Sequence, residues 1–145
     1  MNTEKTDNKK VKDIPIVSSP AEARKLLYQY ITPSTPIIGH GLENDLNALR
    51  LIHPTLIDTI LLYPHRAGLP IRHGLKALMM QRLGRSIQTA NDTASAGVEG
   101  GHDSKEDAIA AGELVRLKVK MRWEKLKGQG WTIDSEGTLF EPSQS

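Results

Sequence analysis

Apolar residues recur along this chain in short runs and helical stripes, with proline- and glycine-containing breaks between them. "IPIV" at 14–17 reads as a short strand or an anchored loop. "SSPAEARKLLYQYI" then carries helix-start chemistry. Ser19 caps, Pro20 fits the first turn and Glu22 completes a capping box, while Leu26, Leu27, Tyr30 and Ile31 form an apolar stripe. "TPSTP" breaks that helix. "IIGH" at 37–40 is the short apolar run of a buried strand. "LENDLNALRLI" returns to helical period, and "TLIDTILLY" begins as a strand and turns helical at a point the pattern does not mark. "PHRAGLP" is loop, and "HGLKALMMQRL" is a helix stopped by Gly84. The small residues of "QTANDTASAGVEGG", 88–101, predict a mobile loop. "DSKEDAIAAGELVRLKVKMRWEKL" is a long helix, "GWTIDSEGTLF" a hairpin with its turn at Asp134 to Gly137, and "EPSQS" a tail. Strands alternating with helices predict an α/β fold, a sheet covered by helices. The expected organisation is a disordered tail over 1–13, a domain over 14–122 and an extension over 123–145.

Composition narrows the classes. The chain has 145 residues, 38% of them apolar, and a net charge of +2. One domain of roughly 100 residues with a modest core is expected. The mild positive balance is compatible with nucleic acid without proving it. Absence of cysteine excludes disulfides, zinc–thiolate sites and thiol nucleophiles. "MNTEKTDNKKVKD" has no apolar core of a signal peptide and no stretch approaches a membrane span, so an intracellular chain without membrane attachment is expected.

Two acids fall on unexpected faces of their helices. With Leu42 at zero on a wheel of about 100° per residue, Leu49, Leu46 and Ile52 mark an apolar arc, and Asp45 falls inside it near −60°. With Asp107 at zero, Ala111, Leu114, Ala110 and Met121 all lie within about 60°. Buried, unpaired carboxylates are costly and are normally neutralised by a partner or a metal. For Asp103 the helix cap is the simpler account. For Asp107 the cap and the metal ligand stay open, as do the surface and ligand readings of Asp45. Hard divalent cations prefer carboxylate oxygens, and His102, at the lip of the same helix, is suited to deprotonate an attacking water.

These blocks, "IIGHGLENDLNALRLIHPTLIDTILLYP", "GLKALMMQRLGRSIQ" and "GHDSKEDAIAAGELVRLKV", resemble the DEDDh 3′→5′ exonucleases, and among them the Rex-type RNA exonucleases of eukaryotes, in a fungal branch. The likeness covers about residues 17–120. It implies an RNase H-like fold, here N-terminally truncated and missing early strands of its sheet. It also implies hydrolysis of phosphodiesters from the 3′ end of single-stranded RNA with two Mg²⁺ or Mn²⁺ ions, in the nucleus. By position, Asp45 and Asp107 match metal ligands and His102 the general base, with Gly97, Gly100 and Gly101 letting that histidine swing in. Asp58 matches a recurring aspartate taken as structural, and Lys76 a recurrent lysine of unassigned role. The family's first motif, an Asp-x-Glu pair, has no counterpart upstream of "IIGH". The chain is therefore expected to be the C-terminal portion of an exonuclease domain, weakly metal-binding and inactive alone. The alternative is a non-catalytic module that binds nucleic acid or protein. Asp134 and Glu136 form one Asp-x-Glu, but Asp, Ser and Gly there read as a turn. His40 is expected to order its loop, and His53, His65 and His73 lack metal-ligand spacing.

Overall fold

A computed structural model describes residues 16–87 and 103–142. The N-terminal tail, the 88–101 loop and His102 lie outside the described residues, as do the expectations placed on them.

The first helix, α1 (Pro20–Leu27), begins at Ser19, whose hydroxyl accepts from the Glu22 amide. The capping box is displaced by one residue. The Glu22 carboxylate accepts from the Ser18 amide and hydroxyl, both at 2.8 Å, instead of the Ser19 amide, and these bonds hold its pKa below the usual carboxylate value. The expected apolar stripe does not extend into a core. α1 ends at Leu27, buries no residue, and leaves Tyr30 exposed.

Strand β1 (Ile37–Gly39), helix α2 (Leu42–Leu49) and strand β2 (Leu56–Asp58) form a βαβ unit with parallel strands, Ile37 opposite Leu56 and Gly39 opposite Asp58. β2 passes directly into the short helix α3 (Thr59–Leu62), with Asp58 as its cap. The strand-to-helix junction that the hydrophobic pattern left unplaced is thus set by one aspartate. Helix α4 (Leu75–Leu83) stops at Gly84 in the left-handed region, φ 63°, as the pattern predicts. Helix α5 (Ser104–Gly128) is the longest element. It runs unbroken through residues 122 and 123, where the sequence reading divides domain from extension.

The core lies between α3, α4 and α5. Tyr63, Leu75, Leu78, Met79, Ile87, Ala110 and Leu114 form one buried cluster. Its apolar contacts come from three helices, so each helix buries one stripe against the others. The Tyr63 hydroxyl, which burial would otherwise leave unsatisfied, donates to the Leu114 carbonyl at 2.8 Å. Burial raises its pKa, and the nearby Arg82 opposes that rise. A hairpin of β3 (Thr132–Ile133) and β4 (Leu139–Phe140) ends the described chain. Its turn confirms the expectation for Asp134, whose carboxylate accepts from the amides of Glu136 and Thr138.

Two expectations about burial are corrected. α2 closes at Leu49 because Arg50 takes the left-handed conformation, φ 50°, so Ile52 never joins the helical arc and stands 98% exposed. In α5 the buried face ends at Val115, and Met121 is 54% exposed. Both apolar arcs are shorter than the sequence suggests.

Candidate functional site

The site is built around the turn from β1 into α2. Gly39 sits so close to Leu42 that a side chain there would collide with it, and Gly41 adopts φ 72°, which glycine tolerates and other residues resist. Having no side chain, Gly41 cannot cap α2. The Asp58 carboxylate does this from β2, accepting from the Gly41 amide at 3.0 Å and the Leu42 amide at 2.9 Å. The same carboxylate accepts from the Ile60 amide at 2.9 Å. One carboxylate therefore serves two helix starts, where negative charge is favoured. This gives physical content to the structural reading of Asp58, which fixes the helix that carries Asp45.

Asp45 lies in the first turn of α2 and is exposed, not inward-facing as the wheel suggests. With the Ile52 edge of the arc removed, its direction opens onto a cleft. Asp107 is half-buried near the start of α5. The cap of that helix is Asp103, which accepts from the Lys105 amide at 2.9 Å and the Glu106 amide at 3.4 Å. A capping box would enlist Glu106, three residues on. Asp107 is one residue beyond it, still in the first turn, where an acid suits the helix N-terminus. Asp45 and Asp107, together with His40, Asn44, Lys76 and Ser104, line one open cleft of about 740 Å³. The structure thus brings together the two acids singled out from the sequence and the lysine whose role was unassigned.

The pattern undervalued His40. Its Nδ1 lies 2.8 Å from the hydroxyl of the fully buried Thr59, which in turn lies 3.2 Å from the Gly39 carbonyl. Burial depresses the His40 pKa, and the charges of Asp58 and Asp107 and a hydrogen bond with the His73 backbone oppose that shift only in part. The imidazole is therefore neutral at pH 7 and is locked at the cleft wall. Its sequence signal was its position directly after a strand, a place shared by structural and functional residues alike. The other described histidines, His53, His65 and His73, do not line the cleft. His53 contacts the Thr35 carbonyl through Nε2 at 2.7 Å, and His65 and His73 pair with each other.

Among the described residues no group of three or more His, Asp or Glu side chains is placed to hold a metal. The donors in the cleft are two carboxylates. Mg²⁺ keeps several waters and takes one or two protein carboxylates, so a donor set of two is chemically suited to a hydrated divalent ion and falls short of a two-ion centre.

Comparison with known proteins settles the lineage. No family model matches the chain. RNA exonuclease 3 of Emericella nidulans is 52% identical over 133 residues, covering 91% of this chain and 20% of that protein. RNA exonuclease 1 of Saccharomyces cerevisiae is 42% identical, covering 68% of this chain and 16% of its own length. The chain belongs to the DEDDh exonuclease family. Its fold agrees. The Neurospora crassa Pan2 catalytic unit, containing protease and nuclease domains, superposes with a TM-score of 0.58 and 25% identity, over 74% of this chain and 16% of that one. The fold is RNase H-like, represented here by the βαβ unit and the helices packed on it. The chain spans about a fifth of the length of the first of these exonucleases.

Proposed function

We propose that the Asp45–Asp107 cleft is part of the catalytic centre of an exoribonuclease that removes nucleotides from the 3′ end of single-stranded RNA. The observation that carries this reading is the convergence of two carboxylates, from the starts of α2 and α5, on one open cleft with Lys76. The similarity to proteins named RNA exonuclease 3 and 1 supports RNA as the substrate. Nuclear residence is part of the same proposal, on family resemblance, and imaging of the tagged chain in fungal cells tests it.

Asp45 and Asp107 would hold Mg²⁺ or Mn²⁺, and the chemistry a bound divalent ion would supply there is water activation and neutralisation of phosphodiester charge. Asp58 and Asp103 fix the helix starts from which the two ligands project. Lys76 places an ammonium on the wall that faces the substrate phosphate. His40, neutral, packs the wall without adding charge. His102, directly preceding the α5 cap, takes the role of general base toward the attacking water.

Two carboxylates cannot fix two ions, so the chain alone is expected to show no chelator-sensitive shortening of end-labelled RNA. An N-terminally extended protein bearing an Asp-x-Glu pair on an added strand is expected to shorten 5′-labelled RNA progressively, in Mg²⁺ or Mn²⁺. In that protein Asp107→Asn should abolish activity and His102→Ala should lower it by about 10²–10⁴-fold. Release of a 5′ mononucleotide as the first product would show the opposite polarity and end the 3′→5′ reading. Chelator-sensitive activity in the short chain would show its acids to be sufficient, and Asp134 and Glu136 would then be mutated first.

The second reading, a non-catalytic binding module, is favoured by the lack of a three-acid cluster among the described residues. Mn²⁺ titration separates the two. Binding that is lost in Asp45→Asn supports the catalytic centre, and no binding to the extended protein supports the module.

A further inference from the structure

The cations of this chain are unevenly placed. Between Arg116 and Lys127 there are six lysines and arginines and one acid, whereas the remaining residues hold 13 cations against 16 acids. The whole positive excess of the molecule therefore sits on the second half of α5. No residue of that half is fully buried, since the buried residues of the helix end at Val115.

The fold adds a cation from another helix. The Arg82 guanidinium, at the end of α4, lies 5.4 Å from the Tyr63 ring centroid, and the Lys118 ammonium lies 4.9 Å from the same centroid. Each contact is a favourable cation–π pairing, and sharing one ring places the two positive groups no more than about 10 Å apart. Further along α5, at about 100° per residue, Arg122 and Lys125 project within about 40° of Lys118. Arg82, Lys118, Arg122 and Lys125 are all exposed. The ion pairs among the described residues engage Arg72, Arg85 and Lys127 instead. A cluster of like charges drawn from two helices is an electrostatic arrangement suited to a polyanion.

Both helices run between the cleft and this cluster. On α4, Lys76 lines the cleft and Arg82 reaches Tyr63 six residues later, an axial rise of about 9 Å with a turn of about 120° around the helix. On α5, Asp107 lines the cleft and Lys118 follows eleven residues later, about 16 Å on. At about 3.4 Å per stacked nucleotide these spans correspond to roughly three to five nucleotides. We infer that Arg82, Lys118, Arg122 and Lys125 form a secondary site that binds the phosphate backbone of single-stranded RNA upstream of the 3′ end held in the cleft. The direction of the strand rests on the function proposed above, whereas backbone binding by the four cations does not.

The test is fluorescence anisotropy on the 145-residue chain, in chelator so that hydrolysis plays no part, with 5′-labelled oligouridines of about 12 and about 3 nucleotides. The variant Arg82→Gln/Lys118→Gln/Arg122→Gln/Lys125→Gln should bind the longer oligomer about tenfold more weakly near 0.1 M salt. Its log–log salt slope should fall by about 2–3, since each phosphate contact to a single strand contributes about 0.7. Affinity for the short oligomer, which offers only about two backbone phosphates, should fall by much less than that for the longer one. Arg122→Gln/Lys125→Gln leaves the Tyr63 contacts intact and should show about half the change in slope, so it decides the matter if the fourfold variant fails to fold. Unchanged affinity and slope for the longer oligomer in both variants would overturn the inference. So would loss of binding to phosphatidylserine vesicles with RNA binding intact, which would make the patch a membrane contact. If no N-terminally extended protein ever hydrolyses RNA, the catalytic reading fails while the anisotropy result stands on its own.

Discussion

The two acids of the cleft are held by regions built on different principles. Asp107 stands on α5, whose first half buries Ala110, Ala111, Leu114 and Val115, with Ala110 and Leu114 in the cluster shared with α3 and α4. Asp45 stands on α2, which buries only Leu42. The α5 region is held by apolar contact, which is non-directional and proportional to buried area. The α2 region is held by directed hydrogen bonds from the Gly41, Leu42 and Ile60 amides to the Asp58 carboxylate. The position of a cleft residue can therefore rest on a region that contributes little to the core, provided one polar residue fixes it. The difference also predicts how each region fails, with core damage felt as lost stability and Asp58 damage felt at the cleft.

The largest effect is expected from Leu114→Ala, which removes a fully buried side chain between α4 and α5. Urea unfolding should show a loss of about 2–5 kcal/mol, and a loss under about 1 kcal/mol would mean that the helical cluster is not the stabilising core. Asp58→Ala should cost less, about 1–3 kcal/mol, because three amides lose their acceptor. Its signature is local. Hydrogen exchange should accelerate at Gly41, Leu42 and Ile60 while the amides of α4 and the first half of α5 stay protected. Uniform acceleration would erase the distinction between the two regions.

Tyr63→Phe sharpens the comparison from within the apolar region. It removes the hydroxyl that satisfies the Leu114 carbonyl and should cost about 0.5–1.5 kcal/mol by thermal or urea denaturation. The smallest expected effect is that of pH on His40. Its pKa in the fold is depressed by burial, whereas the unfolded chain keeps the ordinary value of about 6.5. Above that value both states are neutral and His40 adds no pH dependence. As pH falls below it the unfolded state takes up the proton first, so stability declines until the folded pKa is passed. Substituting His40→Asn should remove this component, seen as a shallower fall in stability below the ordinary histidine value. An unchanged pH profile would place the titration elsewhere.

Much of the site was legible because its signals are local. The Ser19 and Asp103 caps, the stop at Gly84 and the Asp134 turn depend on residues a few positions apart, where side chain and backbone amide meet whatever the rest of the chain does. Asp45 and Asp107 were singled out by their match to a family pattern, and both line one cleft. The helical wheel was a poorer guide to the same two acids. It counts Ile52 and Met121 as inward-facing, and both are exposed. A wheel assumes that the helix continues and that a partner covers its whole apolar arc.

The short-range elements, the α/β order and the identity of the acids are therefore written in the amino-acid sequence, because they follow from periodicity, capping and motif spacing. Packing in three dimensions decided where helices stop burying residues and which carboxylate serves which helix. Asp58 caps α2 across a gap of sixteen residues, and Arg82 meets Lys118 at a tyrosine ring supplied by a third segment. Such pairings depend on the distance between elements after packing, and no local pattern of side chains encodes that distance.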